Sequence, residues 1–252
     1  MSFIRSASVL LTACLALVAP ASGQQVLKVG TGVAPFGFVD AKTNTPAGFS
    51  VEVMTAIAKD QGMQIQFVVM PVFGEMLPAL VAKQIDINAT STTITPERRA
   101  MGVEFSEPYA RWTEGLIVAK ADQTPYKLVD ELKGEVVAAS VGTIYLAGLK
   151  SKTGFKEVRT IANAAQAVLA IGKNEIRGYL TASPLLAHMH KAGQLDDVRL
   201  VDTYVPAYPS IGGIAVRKED TELLGKINAG LAKLKADGTL KAIADKWAIL
   251  LP

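Results

Sequence analysis

The stretch with the most chemical content is Asn88-Ala89-Thr90-Ser91-Thr92-Thr93-Ile94-Thr95-Pro96-Glu97-Arg98-Arg99. Five hydroxyls fall within six residues and run into a helix start: Thr95 suits the N-cap, Pro96 the first helical position and Glu97 the first turn. Hydroxyls, backbone N–H groups and a guanidinium therefore converge. That set suits a carboxylate, because Arg grips two oxygens with parallel hydrogen bonds while Thr and backbone donors take the remaining lone pairs. The same residues also fit an ordinary capped helix with two solvated arginines, so the pattern alone leaves both readings open.

Other candidates are weaker. Gly30-Thr31-Gly32 follows a strand-like run, but Pro35 stands where a dinucleotide fingerprint needs its third glycine, and no helix pattern follows. His188 and His190 are two residues apart, a spacing that does not share a helix face, so they read as solvated helix residues and no metal site is expected. There is no phosphate-binding loop and no nucleophile elbow, and nothing in the sequence calls for a cofactor. Lys and Arg number 26 against 23 Asp and Glu, for a net charge of +3. That balance does not suit a phosphate backbone, and no nucleic-acid partner is expected.

The elements that must position these residues begin after a leader. In residues 1–23 Arg5 is the only charge, Val9 to Ala19 is an apolar run, and Ala21-Ser22-Gly23 offers small residues for cleavage. This reads as a signal peptide and implies export. The only cysteine, Cys14, lies inside it, so the processed chain is expected to have no disulfide and no cysteine nucleophile. Leu11-Thr12-Ala13-Cys14 also resembles a lipoprotein box, but the apolar run continues through Val18, where a polar tether is expected.

From Gln25 onward β-rich runs alternate with helical patterns, which predicts an α/β protein with largely parallel sheets covered by helices. The first series has strands at Val26–Val29, Gln64–Val69 and Ile85–Asn88, with helices at Phe49–Gln61 and Gly74–Lys83. After a strand at Gly115–Ala119 a second series places strands at Val136–Ala139, near Val158, at Ile176–Leu180 and at Val198–Val201. Its helices start near Thr143 and cover Asn163–Ile171 and Ser183–Ala192. A strand at Gly213–Val216 and helices at Thr221–Ala236 and Thr239–Trp247, broken at Asp237-Gly238, close the chain. Two such series suggest two lobes, and the lack of a Gly-, Pro- or Ser-rich linker suggests that strands join them.

Landmarks in order along almost the whole processed chain carry a resemblance. They are Leu27-Lys28-Val29-Gly30-Thr31 with Pro35-Phe36, Gly48-Phe49 with Ala56-Ile57-Ala58-Lys59, and Leu77-Pro78-Ala79-Leu80 with Ile85-Asp86-Ile87. Then follow Thr93 to Arg98, Phe105-Ser106-Glu107-Pro108-Tyr109, Leu132-Lys133-Gly134, Val141-Gly142-Thr143, and Lys235 to Leu240 through Lys246-Trp247. The chain resembles the bacterial extracellular solute-binding proteins of family 3, the polar amino-acid binding proteins of ABC transporters.

The resemblance implies a two-lobed type II periplasmic-binding-protein fold, each lobe a mostly parallel sheet flanked by helices. One lobe would comprise residues 24–117 plus 212–252 and the other 118–211, joined by a two-strand hinge. It further implies a periplasmic monomer that closes on an amino acid or related small carboxylate and delivers it to an inner-membrane ABC permease. Arg98 would hold the ligand carboxylate, helped by Thr93 and by backbone groups of Ser91, Thr92 and Thr93. Phe36 and Phe73 would wall the ligand, and Gly142 and Thr143 would reach the same carboxylate from the second lobe. Two departures matter. Thr181-Ala182-Ser183-Pro184 puts Ala182 where the family commonly has an Asp for the ligand's α-ammonium, and Gly32 stands where an acid is also common. Glu114 and Asp202 are substitutes only by rough location, with structural or solvated roles expected. A cyclohexadienyl or arogenate-type dehydratase shares the fold and is the alternative, but its lysine aligns with Glu114. A sensory or lytic-enzyme module is disfavoured because the chain ends at Pro252.

Overall fold

The computed structural model describes residues 25–252, and the segment read as a signal peptide, with Cys14, lies outside them. In chain order the elements are β1 (Val26–Thr31), a short hairpin β2 (Phe38–Val39) and β3 (Pro46–Ala47), α1 (Phe49–Asp60), β4 (Gln64–Val69), α2 (Met76–Val81), β5 (Ile87–Thr93), α3 (Pro96–Arg99), β6 (Val103–Phe105) and β7 (Ala110–Trp112). The chain continues through β8 (Glu114–Ala119), β9 (Val136–Ser140), α4 (Ile144–Lys150), β10 (Glu157–Ile161), α5 (Ala164–Gly172), β11 (Gly178–Ala182), α6 (Ser183–Lys191) and β12 (Val198–Leu200). It returns with β13 (Ser210–Arg217), α7 (Thr221–Ala236) and α8 (Thr239–Trp247).

Two sheets result. The first has the order β4-β1-β5-β13-β6, with β7 also against β13; the second has the order β10-β9-β11-β8-β12. Each carries an apolar layer on both faces. On the first, Phe49, Val53 and Ile57 recur every four residues along α1 and meet Ile227, Leu231 and Leu234 of α7, while Leu77, Leu80 and Phe105 fill the other side. On the second, Leu116, Leu149 and Leu180 occupy one face and Ile117, Ile171 and Tyr179 the other. A buried aliphatic side chain is worth about 1.5 to 3 kcal/mol relative to exposure, so four such layers supply the cohesion of a chain whose described residues contain no cysteine.

The α/β architecture with two sheets is as expected, but the sheets are mixed. β1 pairs in parallel with β4 and β5, and β9 with β10 and β11; every contact of β8 and β13 is antiparallel. These are the strands that lead the chain from one sheet into the other, so they enter each sheet against the direction of the βαβ units. Pairing also places the change-over differently from the expected boundaries. Glu114 faces Ala182 in the second sheet, and Ser210 faces Trp112 in the first, so the crossings lie at Thr113 and just before Ser210. The short strand expected over Ile85–Asn88 instead runs to Thr93 and is buried throughout. The helix expected over Gly74–Lys83 is divided into a 3-10 turn at Phe73–Glu75 and α2, and Lys83, at φ 60°, ends it in the left-handed region.

Candidate functional site

Arg98 is the charged residue of the candidate site. Thr95 caps α3, its hydroxyl accepting from the Arg98 N–H at 3.3 Å, and the turn aims the guanidinium back over the end of β5. There Nη1 donates to the Thr93 carbonyl at 2.5 Å, and Nη2 crosses to the other sheet unit and donates to the Gly142 carbonyl at 2.9 Å. The guanidinium carbon lies 5.4 Å from the centre of the Phe73 ring, in cation–π range. Arg98 is only 7% exposed, and among the described residues it forms no ion pair to a carboxylate. Burial pushes its pKa down to about 10, opposed by Tyr145 and Glu97, so it remains charged at neutral pH. A buried cation with only carbonyl partners is incompletely compensated.

Arg98 borders a cavity of about 460 Å³ between the two units, within the range of small-molecule sites. The first unit contributes Val33, Phe36, Phe38, Phe73, Thr93 and Trp112, the second Tyr145, Ala182, Leu185, His188 and Met189. Among the described residues no Asp, Glu or Lys lines it. The Trp112 indole donates to the Tyr145 hydroxyl at 2.9 Å, a second polar link between the units, and burial pushes the Tyr145 phenol up to about 12. Gly74 and Gly142 let the walls meet. Gly142 sits at φ +76°, and a Cβ there would lie 2.6 Å from the Gly74 Cα, so a side chain at this contact would hold the units apart.

The residues picked from the sequence are not all placed alike. Arg98, Thr93, Ser91, Phe36, Phe73, Thr143 and Ala182 line the cavity. Thr92 does not: its hydroxyl meets Asn88 and Thr90, because the continued strand turns it into the sheet. The Ser91 N–H, expected to be free for a ligand, donates to the Tyr109 hydroxyl at 3.1 Å, and the Ser91 hydroxyl bonds Ser50 and Tyr109. The Gly142 carbonyl serves Arg98, while the Thr143 N–H and hydroxyl both donate to the Ser140 carbonyl, so neither is directed at a ligand. Thr93 is the hydroxyl of the β5 cluster without a protein partner among the described residues. Glu114 is 1% exposed and structural, accepting from the Tyr204 hydroxyl at 2.9 Å and from the backbone of Ala207 and Tyr208 at 2.5 and 2.9 Å. Asp202 is exposed.

Trp112, Tyr145, Phe38 and His188 were not foreseen in the cavity. For α6 the signal was available: Ala182, Leu185 and Met189 recur at helical spacing, and His188 lies next to that stripe. His188 is partly buried with its ring 5.1 Å from that of Phe38, rather than solvated like the exposed His190. Burial, and then Lys191, push its pKa down, so it is uncharged at neutral pH. For Trp112 and Tyr145 no local pattern exists; only the crossing of the chain between sheets brings them together.

The model of the bacterial extracellular solute-binding proteins, family 3, matches residues 27–249. The chain belongs to this family. Among its relatives, ABC transporter arginine-binding protein 1 of Escherichia coli is 29% identical over 227 residues, 87% of this chain and 90% of that one. Among solved structures, an ancestral arginine-binding protein bound to arginine has a TM-score of 0.79 at 31% identity, covering 88% of this chain and 97% of that one. The ancestral amino acid-binding protein AncCDT-1, a precursor of cyclohexadienyl dehydratase, has a TM-score of 0.76 at 31% identity, covering 88% and 95%. For this solute-binding family member, the cleft around Arg98 is thus the candidate solute site.

Proposed function

We propose that the protein is an exported, monomeric solute carrier that holds one small carboxylate in the cleft between its two sheet units, with Arg98 as the carboxylate's partner. The observation that carries this reading is the buried, charged guanidinium of Arg98, bonded only to the Thr93 and Gly142 carbonyls and facing the cavity. A ligand carboxylate supplies the missing countercharge, and the unpartnered Thr93 hydroxyl can donate to it. The names of the relatives, arginine-binding and amino acid-binding, support a small carboxylate as ligand and an inner-membrane ABC permease as the receiving partner. The signal peptide read in residues 1–23 supports a periplasmic site of action.

A binding role without chemistry is favoured over a dehydratase by the fate of Glu114, at the position aligned with the dehydratase lysine: its carboxylate is occupied by the 204–208 segment and does not line the cavity. Titration calorimetry with small carboxylates tests the reading, with an expected loss of binding in Arg98→Gln. Turnover of prephenate-like acids by the purified protein would overturn it in favour of the enzyme.

A further inference from the structure

We propose that the ligand of this cleft is an amine-free monocarboxylate, a 2-oxo, 2-hydroxy or simple organic acid with an apolar body, and not an α-amino acid. The inference rests on the carboxylate reading of Arg98 and asks what else the site can hold. An α-ammonium lies one carbon from the carboxylate and carries three N–H donors, so it needs acceptors, and when desolvated an anion, close to Arg98. Among the described residues the cleft lining supplies no such anion.

The acids near the cleft are committed or outside it. Glu114 stands opposite Ala182 across the β8–β11 pair, but its two oxygens take three hydrogen bonds from Tyr204, Ala207 and Tyr208. Glu97 and Asp202 are exposed. Several neutral acceptors are engaged as well, and the unpartnered Thr93 hydroxyl carries no charge to offset a desolvated ammonium. The Thr93 and Gly142 carbonyls already accept from Arg98, the Ser140 hydroxyl is paired with Tyr179 at 2.6 Å, and the Asn163 carbonyl oxygen caps α5. His188 lies more than a turn along α6 from Ala182, and Gln194 lies beyond the end of that helix; both are uncharged polar side chains rather than anions.

Charge accounting sets the rest. Arg98 is the one formally charged side chain lining the cleft among the described residues, so it compensates one carboxylate and leaves no cation for a second. Phe36, Phe38, Ile144, Leu185 and Met189 give the remaining wall an apolar character that suits a branched or aromatic body.

The test is a set of calorimetric titrations on the purified protein and on Arg98→Gln, using leucine, phenylalanine and methionine, their 2-oxo and 2-hydroxy counterparts, and their N-trimethyl derivatives. The expected result is that an amine-free acid binds at least tenfold tighter than its amino acid, and that this binding is lost in Arg98→Gln. Arg98-dependent binding that is equal or tighter for the amino acid overturns this proposal and leaves the carboxylate reading standing. Tighter binding of the N-trimethyl derivative also overturns it, pointing to an aromatic cation site. Binding insensitive to Arg98, or none across the panel, overturns both. Ala182→Asp, checked for an unchanged melting profile, should narrow or invert the preference by placing an anion on the wall. An unchanged preference in this folded variant would contradict the argument that the missing acid sets the ligand class.

Discussion

Two arginines of this protein, one buried and one nearly so, have opposite surroundings. Arg217, on β13, reaches Asp86 at 3.1 Å and Asp220 at 2.8 Å and donates to the Ile85 carbonyl at 2.8 Å. Arg98, at least as buried, has two carbonyls and a phenyl ring but no carboxylate. Arg217 is compensated within the fold and ties the end of α2 and the segment leading into β5 to β13, whereas no carboxylate of the described residues compensates Arg98. The difference teaches that burial of an arginine is not by itself a sign of function. The accounting of its partners is.

Swapping the roles of the two arginines by mutation should show this. Arg98→Gln is expected to cost about 2 to 5 kcal/mol of carboxylate binding, a loss of roughly thirtyfold or more, measured by calorimetry. Its ligand-free melting temperature should not fall, because burial opposes the charge that is removed. Arg217→Gln should do the reverse, lowering stability by about 1 to 3 kcal/mol through the unpaired Asp86 and Asp220 while leaving ligand affinity unchanged.

The pH dependence sharpens the same contrast. With its pKa pushed down to about 10, free Arg98 is charged at neutral pH, and the ligand's carboxylate stabilises that charged form. Affinity should therefore be flat around neutrality and fall as pH rises through about 10, and the fall should vanish in Arg98→Gln. The smallest effect is expected for Thr93→Val, about 0.5 to 1.5 kcal/mol of binding from one lost hydroxyl donor, with no change in fold by circular dichroism.

The sequence made the α/β class, most helices and the Arg98 turn legible, since these depend on local spacing and capping. It made β5 too short because its hydroxyl-rich half looks like a loop until Ser50 and Tyr109 are brought beside it to satisfy the Ser91 hydroxyl and N–H. For the same reason Thr92 and the Ser91 N–H read as ligand contacts, although the core already uses them. Trp112 and Tyr145 come from segments on opposite sides of the crossing at Thr113, a long-range relation that no local pattern encodes. Ala182 was legible as a departure, but weighing it required the finding that among the described residues no acid lines the cleft.

The most direct test of the account is a thermal-shift comparison of one apolar carboxylic acid, 4-methyl-2-oxopentanoate, with its carboxamide, on the wild-type protein and on Arg98→Gln. At a hundredfold excess over its dissociation constant a ligand adds about 2.7 kcal/mol of stability, which is readily seen. The account predicts stabilisation of the wild type by the acid alone and of Arg98→Gln by neither. Equal stabilisation of both proteins, or by acid and amide alike, would contradict it.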